Sequence, residues 1–463
     1  MPNDRTDGVP TEQTIASWIE QLVELGIRRP GYPADDAAAA AIADHLRTFG
    51  LEDVRLEPIS VPHWEPVDWS LRATPAGGEP RDLPCFPLPF SAPTPGIEAE
   101  LAAFDAEQPH STAGKVALCE IEMLSAPADL LVTAGSAPAD PAGRVYDPDD
   151  TLAGTTQLLP FSPAWHDVME PAAAAGAVAF IGGLTGYIGD SYEYYVPYDA
   201  KARPIPGVWV RASDAAWLRA QLGVGSVHVR LEIESNTGTR QSSNVVGELP
   251  GADAERVIIG SHHDGPWESA VEDASGVALV LAQAAYWARR PAEKRPHRLI
   301  FVLHGGHMAG LAGPRAYVAA HRAELDATVL ELHLEHAALE YRQTADGDYL
   351  PTGLPEPRWF CTSRIPVLER AVSDAIVAND LRRSMILAPD AVGAHPPTDA
   401  GHYHDAGVPV VNFITTPAYL FDRMDRLDKI DFAGLVPLTR AAIRIIESTA
   451  GIGAAEMRER MIR

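Results

Sequence analysis

A chain of 463 residues with 46% hydrophobic content can bury a large core and is long enough for two or three domains. Asp and Glu number 63 against 37 Lys and Arg, so the formal net charge of −26 disfavours nucleic acid and anionic membrane surfaces as partners. Three widely spaced cysteines exclude a disulfide framework, and the polar N-terminus and the lack of a long apolar run indicate a cytoplasmic protein without a membrane span.

Two helices and a strand are predicted at the start of the chain. The apolar spacing in IASWIEQLVELGI and in DDAAAAAIADHLRTFG predicts helices within residues 12–50, the second ending at Gly50. LEDVRLEPISV alternates as a strand does. Residues 64–110 are rich in Pro and Gly, which is typical of a junction made of extended segments.

Residues from about 113 to 235 predict a compact α/β unit. GKVALCEI and GSVHVRLEIES are typical strands, PAAAAGAVAFIGG indicates a helix followed by a strand, and PGVWVRASDAAWLRAQL indicates a strand followed by a helix. Between them lies a tyrosine-rich segment, which either packs the unit against the rest of the chain or covers a pocket as a lid. Its tyrosines are Tyr187, Tyr192, Tyr194, Tyr195 and Tyr198.

Strands and helices alternate regularly after residue 236. RVIIGSH, RLIFVLH, TVLELHLE and VPVVNFI predict buried strands, with helices at about 275–290, 309–323, 365–380 and 432–449. This pattern predicts an α/β fold with a mostly parallel mixed sheet and helices on both faces. In such a sheet the ligand site lies beyond the carboxyl ends of the strands.

Histidines and carboxylates occur where these strands stop or where the next helix begins. One histidine at a strand end usually packs or forms a structural hydrogen bond, but five segments with this feature at one sheet edge indicate a metal site or a histidine acid/base site. Imidazole and carboxylate together suit Zn, Mn, Fe or Co. The residues are His262, His263, Asp264, Glu272, Asp273, His304, His307, His333, Glu335, His336, His402 and His404.

A series of segments in a fixed order resembles the co-catalytic zinc aminopeptidases. They are NVVGELPG, GSHHDGP, SAVEDASGVALVL, FVLHGGHMAGLAGPRAYV, LHLEH, TDAGHYHDAGVPVV and DRMDRLDKID. The same family includes glutamate carboxypeptidase II, glutaminyl cyclase and the transferrin receptor ectodomain. The resemblance implies an aminopeptidase-like domain made of residues 1–63 and 236–463, with a protease-associated-like insertion and its junctions at 64–235.

One metal position of this family is retained according to the resemblance. His262 stands at the place of a metal ligand, and Asp264 stands where the family has the carboxylate that orients this histidine. Glu272 occupies the place of the bridging Asp, although Asp273, which follows it, is an alternative. Glu335 occupies the place of the late metal-binding Asp. All of these side chains still offer nitrogen or oxygen donors.

The family's other metal position is altered in this chain. Met308 replaces a glutamate ligand, and Phe421 stands where the last histidine ligand belongs. His307 takes the place of the glutamate general base, and it can serve as an acid/base catalyst or as a further ligand. We therefore expect one divalent metal, with zinc first and Mn, Fe or Co as alternatives. His336 is expected to point away from a metal bound by Glu335, because strand neighbours face opposite sides.

These residues predict an atypical, mononuclear metal-dependent enzyme acting on an amide or related carbonyl bond of a small molecule or peptide. A metal-dependent lyase or cyclase on the same fold and an inactive binding protein are the alternatives. Ordinary aminopeptidase activity is expected to be weak. The identity of the substrate and the oligomeric state are left open by the sequence.

Overall fold

The computed structural model describes residues 8–135, 144–162 and 164–461. The helices in these residues are α1 Glu12–Glu24, α2 Pro33–Phe49, α3 Ala128–Thr133, α4 Ala164–Ala174, α5 Ala212–Leu222, α6 Gly276–Ala288, α7 Ala312–Ala320, α8 Arg322–Leu325, α9 Pro366–Ala378, α10 Ala400–Asp405, α11 Phe432–Glu447 and α12 Ala454–Glu459.

The strands of the first half are β1 Glu52–Pro75, β2 Arg81–Asp82, β3 Cys85–Pro87, β4 Thr94–Ala103, β5 Val116–Glu122, β6 Ser125–Pro127, β7 Val145–Tyr146, β8 Thr156–Leu158, β9 Ala179–Thr185, β10 Gly207–Arg211 and β11 Val227–Leu249. Those of the second half are β12 Arg256–His262, β13 Arg298–His304, β14 Thr328–Leu334, β15 Leu339–Gln343, β16 Tyr349–Pro355, β17 Arg358–Thr362, β18 Ser384–Leu387 and β19 Val410–Thr415.

The central sheet runs in the order β11, β13, β12, β14, β19, β17, β18. The four strands β13, β12, β14 and β19 are parallel to one another, whereas β11 and β17 pair antiparallel with their neighbours β13 and β19. The prediction of a mostly parallel mixed sheet with flanking helices is therefore confirmed. Because the four parallel strands share one direction, their carboxyl ends meet at one edge.

Alternate side chains of each central strand enter two different cores, as the period of two in a strand requires. Val257 and Ile259 of β12 lie in the large core that contains α1, α2, α6, α9 and α11. Ile258 between them lies in the opposite core with residues of α7, α8 and α10. Almost every residue of α6 is buried, which explains its nearly uniform apolar sequence GVALVLAQAAYWA.

A smaller α/β unit continues the same sheet through β4, β5, β9, β10 and β3. Its strands β4, β5, β9 and β10 are parallel, and β4 joins the central sheet by pairing antiparallel with β11. The long strands β1 and β11 form an antiparallel ribbon from the pair Glu52–Glu248 to the pair Pro75–Val227. The strand β1 therefore runs unbroken across the predicted boundary at residues 63 and 64, and the division into domains stays a prediction.

Among the described residues, no helix is both long enough and apolar enough to span a membrane.

Candidate metal centre

The four predicted ligands come together at the carboxyl ends of the parallel strands. His262 is the last residue of β12, Glu335 follows β14, His307 lies three residues beyond the end of β13, and Glu272 lies in the segment that precedes α6. All four are buried. Ligand atoms of His262, Glu272 and His307 lie within 4.8 Å of one another, and the same is true of a second set formed by His262, Glu335 and His336.

Two imidazole rings at this edge are held by their Nδ1 atoms. The Nδ1 atom of His262 lies 3.0 Å from the carbonyl oxygen of Asp264, and that of His336 lies 2.8 Å from the carbonyl oxygen of Thr415. A carbonyl oxygen only accepts hydrogen bonds, so Nδ1 is the donor in both rings and Nε2 is the nitrogen that faces the site. A histidine fixed by its second nitrogen in this way is the usual arrangement in metal sites.

His336 differs from its prediction, because its ring points into the site. Its Nε2 atom lies 2.6 Å from Oε2 of Glu272 and 3.8 Å from Oε2 of Glu335. The alternation rule fails here because His336 lies beyond the last residue of β14, Leu334, and has a backbone φ of 56°. The expectation that Glu335 and His336 face opposite sides was therefore wrong.

Several donor atoms in the site are buried without a hydrogen-bond partner among the described residues. They are Nε2 of His262, Nε2 of His336 and both carboxylate oxygens of Glu272. Glu272 Oε1 lies 3.2 Å from His262 Nε2 and Glu272 Oε2 lies 2.6 Å from His336 Nε2, but neither pair has the geometry of a hydrogen bond. Buried polar atoms normally have partners, so this set of nitrogen and oxygen donors fits a divalent metal ion. We call His262, Glu272, Glu335 and His336 the donor half of the site.

Glu272 is aimed at the donor half by its neighbours. The two carboxylate oxygens of Asp425 each accept a backbone N–H, from Val271 and from Glu272, at 2.8 Å. Asp273 is turned away and accepts the backbone N–H groups of Gly276 and His336 at 3.0 and 3.2 Å. Of the two acids left open by the sequence, Glu272 therefore faces the site and Asp273 holds the surrounding backbone.

The pKa values of Glu272, Asp273 and Asp425 differ in direction. Burial raises the pKa of Asp273 to about 7 and that of Asp425 to about 7, because the charged form is poorly solvated there. Burial also opposes the charged form of Glu272, but His336 and His262 together hold the pKa of that carboxyl well below its usual range. Glu272 is thus the carboxylate that stays ionised next to the imidazoles.

Asp264 supports the site through a different contact from the one predicted. Its carboxylate Oδ1 lies 3.7 Å from Nδ1 of His262, and the ring donates its Nδ1–H to the backbone carbonyl of Asp264 instead. The carboxylate accepts the backbone N–H groups of His307 and Met308 at 3.1 and 2.7 Å. Asp264 therefore orients His262 with its main chain and positions His307 with its side chain.

A buried chain of hydrogen bonds behind Glu335 was not predicted. His333 Nε2 lies 2.9 Å from Oε1 of Glu335, and His333 Nδ1 lies 2.8 Å from Oε1 of Glu331. A side chain at Gly260 would place its Cβ 2.9 Å from His333 Nδ1, so glycine leaves room for this ring. Residues 331, 333 and 335 share one face of β14 and its extension. The alternating sequence pattern E-x-H-x-E could have predicted this chain of hydrogen bonds.

His307 forms a pair with Asp399, a residue that was not among the predicted site residues. Its Nδ1 atom lies 2.8 Å from Oδ1 of Asp399, which leaves Nε2 free. Burial and the nearby His262 lower the pKa of His307, but the Asp399 carboxylate raises it more, so that the net pKa lies above its ordinary value. His307 in turn keeps the pKa of Asp399 below its usual range. This pair can hold and move a proton.

Aromatic and aliphatic side chains occupy the other side of His307. The His307 ring stacks on His262 with a centroid distance of 3.9 Å and on Tyr198 with a centroid distance of 5.5 Å. Tyr198 also contacts Phe421 at 5.1 Å between ring centroids, and Phe421 and Met308 are buried in the same apolar core. We call Met308, Phe421 and Tyr198 the apolar half of the site.

The other histidines at this edge lie outside the donor half. His304 Nδ1 lies 3.1 Å from Oδ1 of Asn244 and its Nε2 lies 3.0 Å from the hydroxyl of Tyr403, which fits the structural hydrogen bonding usual for a lone strand-end histidine. Burial lowers the pKa of His304 to about 3, so the ring is neutral. His263 Nε2 donates to the carbonyl of Ser243 at 2.8 Å. His402 and His404 belong to α10 and belong to none of the candidate donor groups among the described residues.

The tyrosine-rich segment is packed against the rest of the chain, and its last tyrosine reaches the site. Tyr187, Tyr194 and Tyr195 are buried, and the Tyr194 hydroxyl donates to the carbonyl of Pro160 at 2.8 Å, so these residues pack the segment in place. Tyr198 alone stacks on a site histidine.

The fold and the donor set are those of a metallohydrolase-like enzyme. Residues 244–446 match the family model described as Peptidase family M28. No curated protein matches the sequence. The family match confirms the resemblance to the zinc aminopeptidase-like metallopeptidases, and together with the donor set it supports the use of zinc or another divalent metal.

Solved structures share this fold over almost the whole chain. A peptidase M28 precursor from Shewanella amazonensis SB2B is 22% identical, with 95% of this chain and 94% of that chain covered and a TM-score of 0.71. BSAP, a zinc aminopeptidase from Bacillus subtilis, is 18% identical, with 94% and 95% covered and a TM-score of 0.65. An aminopeptidase from Aneurinibacillus sp. strain AM-1 is 18% identical, with 95% and 94% covered and a TM-score of 0.63.

Proposed function

We propose that the chain is a mononuclear metal-dependent enzyme that acts on an amide or related carbonyl bond of a small molecule or peptide. The observation that supports this is the set of buried, unpartnered donor atoms on His262, Glu272 and His336. Burial of these atoms without hydrogen bonds is costly, and a cation among them would offset that cost. His262, Glu272 and Glu335 would hold this ion, and His336 is a further ligand that the sequence did not predict.

A single metal is proposed because Met308 and Phe421 stand at two ligand places of the second metal position. Met308 offers a weakly donating thioether and Phe421 offers no donor atom, and both are buried in the apolar core. A second divalent ion would need nitrogen or oxygen ligands on that side.

The reaction would combine the metal with the acid/base pair. A bound divalent ion polarises a carbonyl group and lowers the pKa of a water molecule. The Asp399 carboxylate keeps the Nδ1 proton of His307 in place, so that Nε2 accepts a proton from the attacking group and returns it to the leaving nitrogen. The His307 ring stacks on both His262 and Tyr198, which restricts it to the orientation that this proton transfer needs.

A lyase or cyclase is the second candidate. His307 is only 4% exposed, so water has little access to the group that would transfer the proton. In that reaction the His307–Asp399 pair would accept the proton from a nucleophile that belongs to the substrate itself.

Turnover of a panel of N-acyl amides and peptides tests the proposed function. Activity should disappear with a chelator and return with zinc, while leucine and alanine anilides, which are ordinary aminopeptidase substrates, should be turned over weakly. Robust turnover of the anilides would contradict the assignment of His307 to the place of a carboxylate base. Incorporation of oxygen from labelled water into the product separates hydrolysis from lyase or cyclase chemistry.

A further inference from the structure

A cavity of about 440 Å³ lies between the small α/β unit and the start of α7, beside the candidate metal centre. Tyr198 connects the two, because it lines the cavity and its ring stacks on His307. Phe161 and Leu311 add further apolar lining. A ligand bound in this cavity would therefore contact Tyr198, the residue that stacks on His307.

Two cationic side chains of the same cavity lack an acidic partner. Lys201 and Arg315 both line it, and neither forms an ion pair with a carboxylate in the described part of the chain. The Arg315 guanidinium donates to the carbonyl of Gly310 at 3.0 Å, which holds it at the cavity. Asp199, the acid that lines this cavity, is paired with Arg203, so it does not neutralise them. The cavity is thus positive in a protein whose formal net charge is −26.

In a second cavity, by contrast, the cationic side chains are paired with acids. It measures about 500 Å³ and includes Arg423, Arg426 and Lys429 in its lining. Arg423 lies 3.0 Å from a carboxylate oxygen of Glu193, and Lys429 lies 2.5 Å from one of Asp428. Arg426 also has an acidic neighbour, at 3.7 Å. The cations of this second cavity are therefore compensated, whereas those beside Tyr198 are available to a ligand.

We propose that the cavity beside Tyr198 binds the carboxylate end of the substrate. The preferred substrates are then amides that carry an apolar or aromatic body followed by a carboxylate, the apolar part lying against Phe161 and Leu311. Lys201 and Arg315 are both exposed, so their attraction for an anion is screened by water and by salt. This inference rests on the proposed function for the position of the reacting carbonyl, but the binding of the anion itself does not require turnover.

Calorimetric titration with a matched pair of probes tests the proposal. N-acetyl-L-phenylalanine should bind about tenfold more tightly than its carboxamide, and this preference should decrease as salt is added. The double variant Lys201→Met, Arg315→Met should bind both probes equally. The variant Arg219→Met removes an exposed arginine that pairs with Glu120 at 2.9 Å in the small unit, and it should keep the preference.

The same titrations define the outcomes that overturn the proposal. Equal binding of the two probes, no binding of either, or a preference that survives in the double variant each contradict it. Titrations of zinc-loaded and chelator-treated protein should show the same preference. A preference that requires zinc would mean that the carboxylate binds the metal, which overturns the cavity assignment and leaves the metal centre intact. A preference in a protein that binds no metal would support the cavity and contradict the proposed function.

Discussion

The donor half and the apolar half of the site meet at the ring of His307, which stacks on His262 of one and Tyr198 of the other. In the donor half, buried nitrogen and oxygen atoms lack partners and their orientations are fixed by backbone carbonyls and carboxylates. In the apolar half, Phe421 and Met308 belong to the continuous hydrophobic core. The difference supports the proposal that one side of the pocket binds a cation, whereas the other side is filled by apolar side chains.

Removal of a ligand from the donor half should have the largest effect. His262→Ala should abolish stoichiometric metal binding and lower turnover about a thousandfold or more, because the metal supplies several kcal/mol of transition-state stabilisation. Elemental analysis and turnover on the same preparation measure both effects. His263→Gln is the matched control, since His263 is adjacent and equally buried but binds Ser243 instead. Full metal content in the His262→Ala variant would contradict the ligand set.

Loss of the His307 side chain, which lies between the two halves, should lower turnover without removing the metal. His307→Ala should lower turnover by about a hundredfold to ten-thousandfold, the range for general acid/base groups. Asp399→Asn should have a smaller effect in the same direction, because it alters the hydrogen bond that fixes the ring. Metal content should stay near that of the wild type. If His307→Ala also loses the metal, His307 is a ligand, and if neither property changes the central assignment is wrong.

The sequence predicted the parts of this comparison that depend on order along the chain. The periodicity of the sequence predicted the buried strands and their parallel order. The matched motifs predicted that four site residues lie at one edge of the sheet, namely His262, Glu272, His307 and Glu335. The role of His336 could not be predicted, because it depends on a backbone turn after β14 that abandons strand alternation. Asp399 lies 92 residues after His307, and a contact over such a separation is fixed only by the tertiary structure.

The buried chain behind Glu335 should have an intermediate effect. His333→Gln should weaken metal affinity about tenfold to a hundredfold, the range for residues that orient a metal ligand. Competition with a chromophoric chelator measures the affinity, and circular dichroism confirms folding. His304→Gln is a suitable control, because His304 is a buried neutral histidine bonded to Asn244 and Tyr403. Equal metal affinity in the His333→Gln variant and the wild type would limit His333 to packing.

Truncation in the apolar half should leave metal binding almost unchanged. Phe421→Ala removes a buried ring that packs on Tyr198, so it should lower the free energy of unfolding by about 3–5 kcal/mol. Thermal unfolding and elemental analysis measure the two quantities. A variant that folds but loses its metal would place Phe421 near the ligands in a supporting role and would weaken the division into two halves.

The number of metal ions per chain tests the central claim most directly. Protein dialysed against trace zinc and analysed by elemental analysis should contain close to one equivalent, held by the donor half alone. Two equivalents would contradict the proposal that Met308 and Phe421 have replaced ligands of the second metal position. Zero equivalents would contradict the metal centre itself and would favour a protein that uses the peptidase fold only for binding.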